Sequence, residues 1–119
     1  MTQTVSIRVQ GAVAVLTMDR PPVNSLGYDL RVGIADALDA ANADPAVQAI
    51  VLTGTARAFS AGADVTEFGT AKGAKEPNLR VVIGLLENNA KPVIGAIAGQ
   101  CLGGGLELAL GCHYRVAAP

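Results

Sequence analysis

Three consecutive glycines open a helix directly after an apolar strand, and one carboxylate follows them. The segment covers residues 97–112 and reads IAGQCLGGGLELALGC. Glycines at a helix start let the backbone approach a ligand and expose N–H groups at the positive end of the helix dipole. Such groups bind a phosphate, or the negative oxygen that forms when a thioester carbonyl becomes an enolate. Glycines 103–105 therefore predict an anion site, with Glu107 as the acid beside it.

Two other interpretations of the glycine triplet stay open at this point. In a nucleotide-binding α/β module the glycines would hold a phosphate, but neither G-x-x-x-x-G-K-[ST] nor G-x-G-x-x-G directly after a strand occurs here. In a purely structural interpretation, the glycines only let the helix pack closely against a strand.

Glu107 is the only charged residue of an apolar helix, with Leu106 and Leu108 on either side. If the carboxylate is desolvated there, burial raises its pKa toward a value useful for proton transfer. The alternative is a solvent-exposed residue that complements the helix dipole.

A second segment repeats the order of strand, small-residue loop and acid. Residues 49–53 (AIVLT) form an apolar, β-branched run, and a polar turn leads from there to AFSAGAD at residues 58–64. Two such loops can each direct one N–H toward the same oxygen. That arrangement is an oxyanion hole.

FSAGAD followed by KPVIGAIAGQCLGGGLELAL resembles the enoyl-CoA hydratase/isomerase (crotonase) family. The resemblance covers nearly the whole chain from GAVAVLTMDRPPVNSL onward, and GCHYRVA further resembles the hydratase/isomerase half of multifunctional fatty-acid oxidation enzymes. It implies an α/β fold of the crotonase-like (ClpP/crotonase) type, a right-handed spiral of β-β-α units of which this chain supplies the first turns. The implied activity is addition of water across the C2–C3 double bond of an enoyl-CoA in β-oxidation, with double-bond isomerisation second.

The resemblance also implies roles for single residues. Ala63 and Gly104 match the backbone N–H donors of the family's oxyanion hole, and Glu107 matches the first of two catalytic glutamates. The loop around Ala61 and Asp64 resembles the segment whose backbone meets the adenine of coenzyme A.

Arg57 lies where a basic residue can face a phosphate of coenzyme A. No cofactor is expected beyond the coenzyme A thioester, which is the substrate. The second catalytic glutamate is expected beyond Pro119, so residues 1–119 would be the N-terminal part of one crotonase-like domain. Glu67 and Glu87 match no motif and are expected to face solvent.

Composition agrees with an uncovered apolar face, since 50% of the residues are hydrophobic and only 16% are charged. The cover would be the rest of a larger domain, a partner subunit or both. Crotonases commonly form trimers, and their multifunctional relatives join this module to a dehydrogenase. The isolated chain is expected to associate or to be poorly soluble, and to be inactive. A non-catalytic acyl-CoA-binding or assembly fragment, and other crotonase reactions such as thioester hydrolysis or decarboxylation, remain alternatives.

Several other functions find no support in the sequence. His113 is the only histidine, so neither a metal cluster nor a Ser-His-Asp set can be assembled; it is expected to pack or to hydrogen-bond at a strand start. A net charge of −1 provides no basic surface for nucleic acid, and no apolar run approaches transmembrane length. Cys101 and Cys112 lack metal-ligand spacing and accompany no secretory signal, which favours a cytoplasmic location.

The remaining pattern predicts strands alternating with helices and hence parallel pairing. Strands are predicted at 5–9, 13–18, 49–53 and 93–98, with a tight turn at 10–11 between the first two. A first helix has its cap at Asn24-Ser25 and ends at Asp44-Pro45; its core positions are Leu26, Leu30, Ile34, Leu38 and Ala41. After a mobile surface loop at 69–76, a second helix has Pro77 in its first turn; its buried positions are Leu79, Val82, Ile83 and Leu86.

Overall fold

The computed structural model describes residues 3–119, which form seven strands and four helices. The strands are β1 (Val5–Gln10), β2 (Val13–Met18), β3 (Ala49–Thr53), β4 (Ala58–Ser60), β5 (Val93–Ile97), β6 (Gln100–Cys101) and β7 (Tyr114–Ala117). The helices are α1 (Tyr28–Ala43), α2 (Ala71–Ala74), α3 (Leu79–Glu87) and α4 (Gly104–Gly111), and a 3₁₀ turn covers Val65–Glu67. The predicted helix at the glycine triplet is thus confirmed.

The strands form two sheets. The larger has the order β1-β2-β3-β5-β7, and only its β1–β2 hairpin is antiparallel. The smaller consists of β4 and β6, which pair in parallel. Because each parallel pair needs a crossover, the connections include the helices, as the alternating pattern predicts.

The core lies between the larger sheet and the helices. In β2 every second side chain is fully buried, which is the period expected of a strand with one face on the core. The predicted core positions of the first helical segment are all buried; they are Leu26, Leu30, Ile34, Leu38 and Ala41. Val82 and Leu86 of α3 are also buried, and Leu79 and Ile83 pack against the same core.

The start of α1 differs from the prediction. Asn24-Ser25 do not cap it, because the helix begins at Tyr28 and its N-cap is Gly27, which has no side chain to offer. Asn24 instead lies buried in the turn before the helix, with a left-handed φ of 54°. Asparagine tolerates this conformation better than most residues.

Residues 69–76 are exposed, as expected, but they are not only a loop. Thr70 accepts a hydrogen bond from Gly73 N (3.3 Å) and caps one helical turn, α2. Pro77 precedes α3 rather than lying in its first turn. Asn78 takes the N-cap position because its side chain accepts a hydrogen bond from Val81 N (2.9 Å).

The C-terminal part of the chain exposes large apolar side chains, as the composition predicts. These side chains are between 46% and 66% exposed and lie on α4, on the turn before it and on β7; they are Leu102, Leu106, Leu110, Tyr114 and Val116. No helix among residues 3–119 is long and apolar enough to cross a membrane.

Candidate active site

Two backbone segments leave the small β4–β6 sheet side by side. Residues 61–64 follow β4, and residues 102–104 follow β6. The strands run in the same direction, and Leu102 N donates a hydrogen bond to Ser60 O (3.1 Å) where they end. The two loops that the sequence singles out therefore lie next to each other.

The backbone nitrogens of Ala63 and Gly104 come together at this point. A methyl group placed on Gly104 would lie 3.6 Å from Ala63 N, and one placed on Gly62 would lie 3.5 Å from Gly104 N. Within residues 3–119 neither the Ala63 nor the Gly104 N–H donates a hydrogen bond, whereas the next N–H along α4, that of Gly105, bonds Leu102 O (2.8 Å). Two adjacent, unused N–H groups are what an oxyanion site requires.

Glycine is needed for a different structural reason at different positions of these loops. Gly62 and Gly103 have φ values of 119° and 50°, a region that side chains disfavour. A side chain on Gly105 would overlap the Ser60 carbonyl, so this glycine lets α4 pack directly on β4. The packing interpretation thus holds for Gly105, while Gly104 carries the free N–H.

Glu107 is exposed, and the expectation of a desolvated carboxylate is wrong for this chain. The buried side of α4 is formed by Gly105, Leu108 and Ala109, while Leu106 faces outward beside Glu107. Glu107 lines a surface concavity whose other lining residues all belong to α3. Glu107 therefore lies one turn from the free N–H of Gly104, on the solvent side of the helix.

The residues predicted to meet coenzyme A are divided between two places. Ala61 and Asp64 flank the Ala63 donor, whereas Arg57 is exposed at the opposite end of β4. Ala61 N donates to Val23 O (2.9 Å), and within residues 3–119 the Ala61 carbonyl accepts no hydrogen bond. Its carbonyl oxygen is thus the backbone group left for a ligand.

The Asp64 side chain is fully engaged in the protein. One oxygen accepts hydrogen bonds from the hydroxyl (2.6 Å) and backbone N (3.0 Å) of Thr66, which caps the 3₁₀ turn. The other oxygen pairs with Arg20 Nη2 (3.0 Å). The Thr66 hydroxyl, with its N–H and Arg20, lowers the pKa of the Asp64 carboxyl against the opposing effect of burial.

Glu67 does not face solvent, contrary to the prediction, whereas Glu87 is exposed as expected. The Glu67 carboxylate accepts hydrogen bonds from Tyr28 N (3.0 and 3.2 Å) and lies 3.4 Å from Nη1 of the buried Arg31. Because Gly27 cannot cap α1, a carboxylate from a distant segment does so. The negative charge of the carboxylate also interacts favourably with the positive end of the helix dipole at the N-terminus of α1.

The sequence did not indicate the roles that three polar residues near the site have in the structure. Arg20 and Asn24 lie in the turn that precedes α1, and Arg31 lies in the first turn of that helix. Each side chain donates a hydrogen bond to a backbone carbonyl, that of Ser25, Ala58 and Pro77 respectively. The available signal was the run DRPPVNS, where two prolines followed by asparagine indicate a fixed turn. That signal identifies the turn but not its distant partners.

The remaining candidates have structural roles. His113 lies just before β7, and its Nδ1 accepts a hydrogen bond from Val93 N (2.9 Å), which confirms the predicted hydrogen-bonding role. Cys101 is half-buried and Cys112 is buried, which raises the pKa of the Cys112 thiol to about 11. Within residues 3–119, no three His, Cys, Asp or Glu side chains are grouped so that they could hold a metal ion.

The sequence matches the enoyl-CoA hydratase/isomerase family over residues 8–119, and the chain belongs to this family. A probable enoyl-CoA hydratase of Bacillus subtilis (strain 168) is 42% identical over 119 residues, which cover 96% of this chain and 46% of that protein. The peroxisomal bifunctional enzyme of Homo sapiens is 43% identical over 110 residues, which cover 92% of this chain and 15% of that protein. The chain thus spans at most about half the length of these two relatives.

Solved structures confirm the predicted crotonase-like fold. An enoyl-CoA hydratase from Bacillus anthracis superposes with a TM-score of 0.86 at 31% identity, over 97% of this chain and 47% of that one. An enoyl-CoA hydratase/isomerase from Xanthobacter autotrophicus Py2 superposes with a TM-score of 0.86 at 33% identity, over 98% of this chain and 46% of that one.

Proposed function

We propose that this chain provides the oxyanion hole and the first acid/base residue of an enoyl-CoA hydratase. The observation that carries the proposal is the pair of unused N–H groups of Ala63 and Gly104, which lie next to each other. Membership of the enoyl-CoA hydratase/isomerase family supports the same chemistry.

The two N–H groups would bind the thioester oxygen of the substrate. When water adds to C3 of an enoyl thioester, the C2–C3 π electrons move toward the carbonyl, and the oxygen becomes negative as an enolate. Backbone donors are neutral, rigid and already oriented, so they stabilise this charge without reorganising. Protonation at C2 then completes the addition and restores the carbonyl.

Glu107 would hold the attacking water and take its proton as the oxygen bonds to C3. Its exposure leaves the carboxylate accessible to that water. A positioned general base of this kind typically contributes about 10² to 10⁴ in rate. The second carboxylate of the pair is assigned to a residue outside residues 1–119, because neither Glu67 nor Glu87 matches its motif.

For coenzyme A we propose contacts on both sides of the Ala63 donor. The Ala61 carbonyl, which accepts no hydrogen bond within residues 3–119, suits an amino group such as that of adenine. Asp64 would contribute through its backbone, because its carboxylate is occupied by Thr66 and Arg20. The exposed Arg57 guanidinium would face a phosphate.

The test is the variant Glu107→Gln in the complete protein, assayed for hydration of a short trans-2-enoyl-CoA and for binding of the saturated acyl-CoA. We expect kcat to fall by about 10² or more while the acyl-CoA Kd changes by less than about threefold, since the lost group acts in proton transfer. Glu76→Gln, which neutralises an exposed carboxylate that does not line the concavity at Glu107, is the matched control.

The outcomes separate the alternative functions. Unchanged hydration by Glu107→Gln would refute the assigned acid/base role. Acyl-CoA binding by the wild type without hydration would favour a binding module, and conversion of a 3-enoyl-CoA alone would favour the isomerase. Thermal stabilisation by a nucleotide, without any by acyl-CoA, would favour the nucleotide-binding interpretation.

A further inference from the structure

We infer that Asn24 is a positioning residue that sets the direction of the Ala63 N–H, an inference that rests on the proposed oxyanion hole. Asn24 lies in the turn between β2 and α1, is only 2% exposed and touches neither Ala63 nor Gly104 through a hydrogen bond. It acts through the backbone of the two segments that it joins.

The peptide group between Gly62 and Ala63 is oriented from its carbonyl side. Leu26 N donates a hydrogen bond to Gly62 O (2.8 Å), and Ser25 forms a parallel bridge with Gly62. In a trans peptide the C=O and the following N–H point in opposite directions. The bond from Leu26 therefore directs the Ala63 N–H away from residues 25–26, and its position is set by the position of that turn.

Asn24 fixes this turn against β4. Its side-chain nitrogen lies within hydrogen-bond distance of Met18 O (3.2 Å), Ala58 O (3.2 Å) and Phe59 O (3.1 Å), which joins the end of β2 to β4. Its side-chain oxygen accepts a hydrogen bond from Arg20 N (2.7 Å). The side chain thus uses both its donor and its acceptor functions inside the protein.

The backbone of Asn24 extends this hydrogen-bonded connection to residues 61–64, the donor loop that carries the Ala63 N–H. Asn24 O accepts a hydrogen bond from the Ser60 hydroxyl (2.7 Å), which in turn accepts one from Gly62 N (3.2 Å). The Gly62 amide and the Gly62 carbonyl are therefore both held by residues 24–26. Asn24, with its left-handed φ of 54°, is the residue on which this geometry depends.

A second contact supports the loop from the other side of Ala63. Arg20 donates to Ser25 O (3.1 Å) and pairs with Asp64 (3.0 Å), the residue that follows the donor. Arg20 is partly exposed and also pairs with Asp29 (2.8 Å), so its replacement tests the same idea without removing a buried side chain.

The decisive experiment compares kcat and KM for hydration of a short trans-2-enoyl-CoA by the complete protein. Asn24→Gly keeps the left-handed backbone accessible and removes every side-chain bond. We expect kcat to fall by about 10- to 100-fold with KM within about threefold, since small displacements of catalytic groups cost this much in rate. Arg20→Gln is expected to lower kcat in the same direction by a smaller factor.

Val47→Ala separates positioning from simple destabilisation. Val47 is buried before β3, at the end of the larger sheet where β2 begins, whereas Asn24 follows the end of β2; truncation of Val47 destabilises the core. In the folded enzyme, Val47→Ala should retain wild-type kcat.

A wild-type kcat in Asn24→Gly, or a loss equal to that of Val47→Ala, would overturn the inference. If Asn24→Gly does not fold, a wild-type kcat in Arg20→Gln overturns it instead. Failure of the wild type to hydrate the enoyl-CoA would contradict the proposed function, so the two failures are distinguishable.

Discussion

An added methyl group at Gly104 tests the proposed anion site at a single residue. A methyl group there would lie 3.6 Å from Ala63 N and 2.9 Å from Leu79 Cδ2, so it would crowd an oxygen bound between the two N–H groups. We expect Gly104→Ala to lower kcat/KM for enoyl-CoA hydration by about 10² to 10³, the usual effect of losing an oxyanion donor.

The thermal stability of Gly104→Ala shows whether a loss of activity reflects a loss of folding. Alanine is a better helix former than glycine by about 1 kcal/mol, which offsets the crowding against the flexible Leu79 side chain. Thermal unfolding of Gly104→Ala should therefore differ little from wild type. Wild-type kcat/KM in this variant would show that the Gly104 N–H does not bind the substrate oxygen.

At the residue scale, the sequence predicted that the two loops meet, but it did not predict that Glu107 is exposed to solvent. Ala63 and Gly104 lie together because they follow β4 and β6, which pair in parallel. The repeated order of strand and loop indicated two converging loops, and the resemblance to the family supplied the two residues. Glu107 was expected to be buried because leucines flank it, yet neighbours in a helix point in different directions, about 100° apart. Leu108 faces the core while Leu106 and Glu107 face outward.

At the element scale, α1 depends on a cap that comes from another part of the chain. Glu67 accepts hydrogen bonds from Tyr28 N and pairs with the buried Arg31. We expect Glu67→Gln to lower the free energy of unfolding by about 1–3 kcal/mol, the value of hydrogen bonds to charged groups. The measurement is urea unfolding, with Glu76→Gln as a control that should change stability by less than about 0.5 kcal/mol. Equal stabilities of the two variants would contradict the capping role.

The 3₁₀ turn after the donor loop should respond to acid through Asp64. The Thr66 hydroxyl bond is the largest cause of the lowered pKa of Asp64 in the folded state. The carboxylate therefore contributes stability above its unfolded pKa of about 3.9, and this contribution is lost as the pH falls through the lower folded pKa.

The matched variant for this effect is Asp64→Asn. Urea unfolding between pH 2 and pH 6, about two units on either side of the unfolded pKa, should show the wild type losing its advantage over Asp64→Asn as the pH falls. A constant difference between the two proteins across this range would refute the assignment.

The long elements were predictable and the short ones were not. Periodicity gave β1, β2, β3 and β5 to within one residue at each end, because five or six residues suffice to show a pattern. The strands β4 and β6 have three and two residues, too few for any period, and both exist because they pair with each other. The cap from Glu67 is a tertiary contact and leaves no local signal.

At the scale of the whole molecule, the exposed apolar side chains of α4 and β7 form the surface most suited to association. Within residues 3–119, β7 pairs with β5 on one side and with no strand on the other, so it is an open edge. We expect the 119-residue chain to associate in a concentration-dependent manner in sedimentation velocity, and the double variant Leu110→Glu/Val116→Glu to reduce this association.

Phe68→Glu is the control for that experiment, because Phe68 is 67% exposed but lies in the loop after the 3₁₀ turn. It should leave the association unchanged. A monodisperse monomer for the wild-type chain would contradict the prediction. For the complete protein we propose a homo-oligomer or a fusion with a dehydrogenase part; one relative is a peroxisomal bifunctional enzyme.

The central claim is that the Ala63 and Gly104 N–H groups bind the thioester oxygen. Infrared difference spectroscopy of a bound acyl-CoA carrying a ¹³C label in the thioester carbonyl tests it most directly, because two hydrogen bonds weaken that C=O bond. We expect the carbonyl stretch to move to lower frequency on binding to the wild type and to Glu107→Gln, and to move less on binding to Gly104→Ala. A carbonyl frequency equal to that of free acyl-CoA in the wild-type complex would contradict the account.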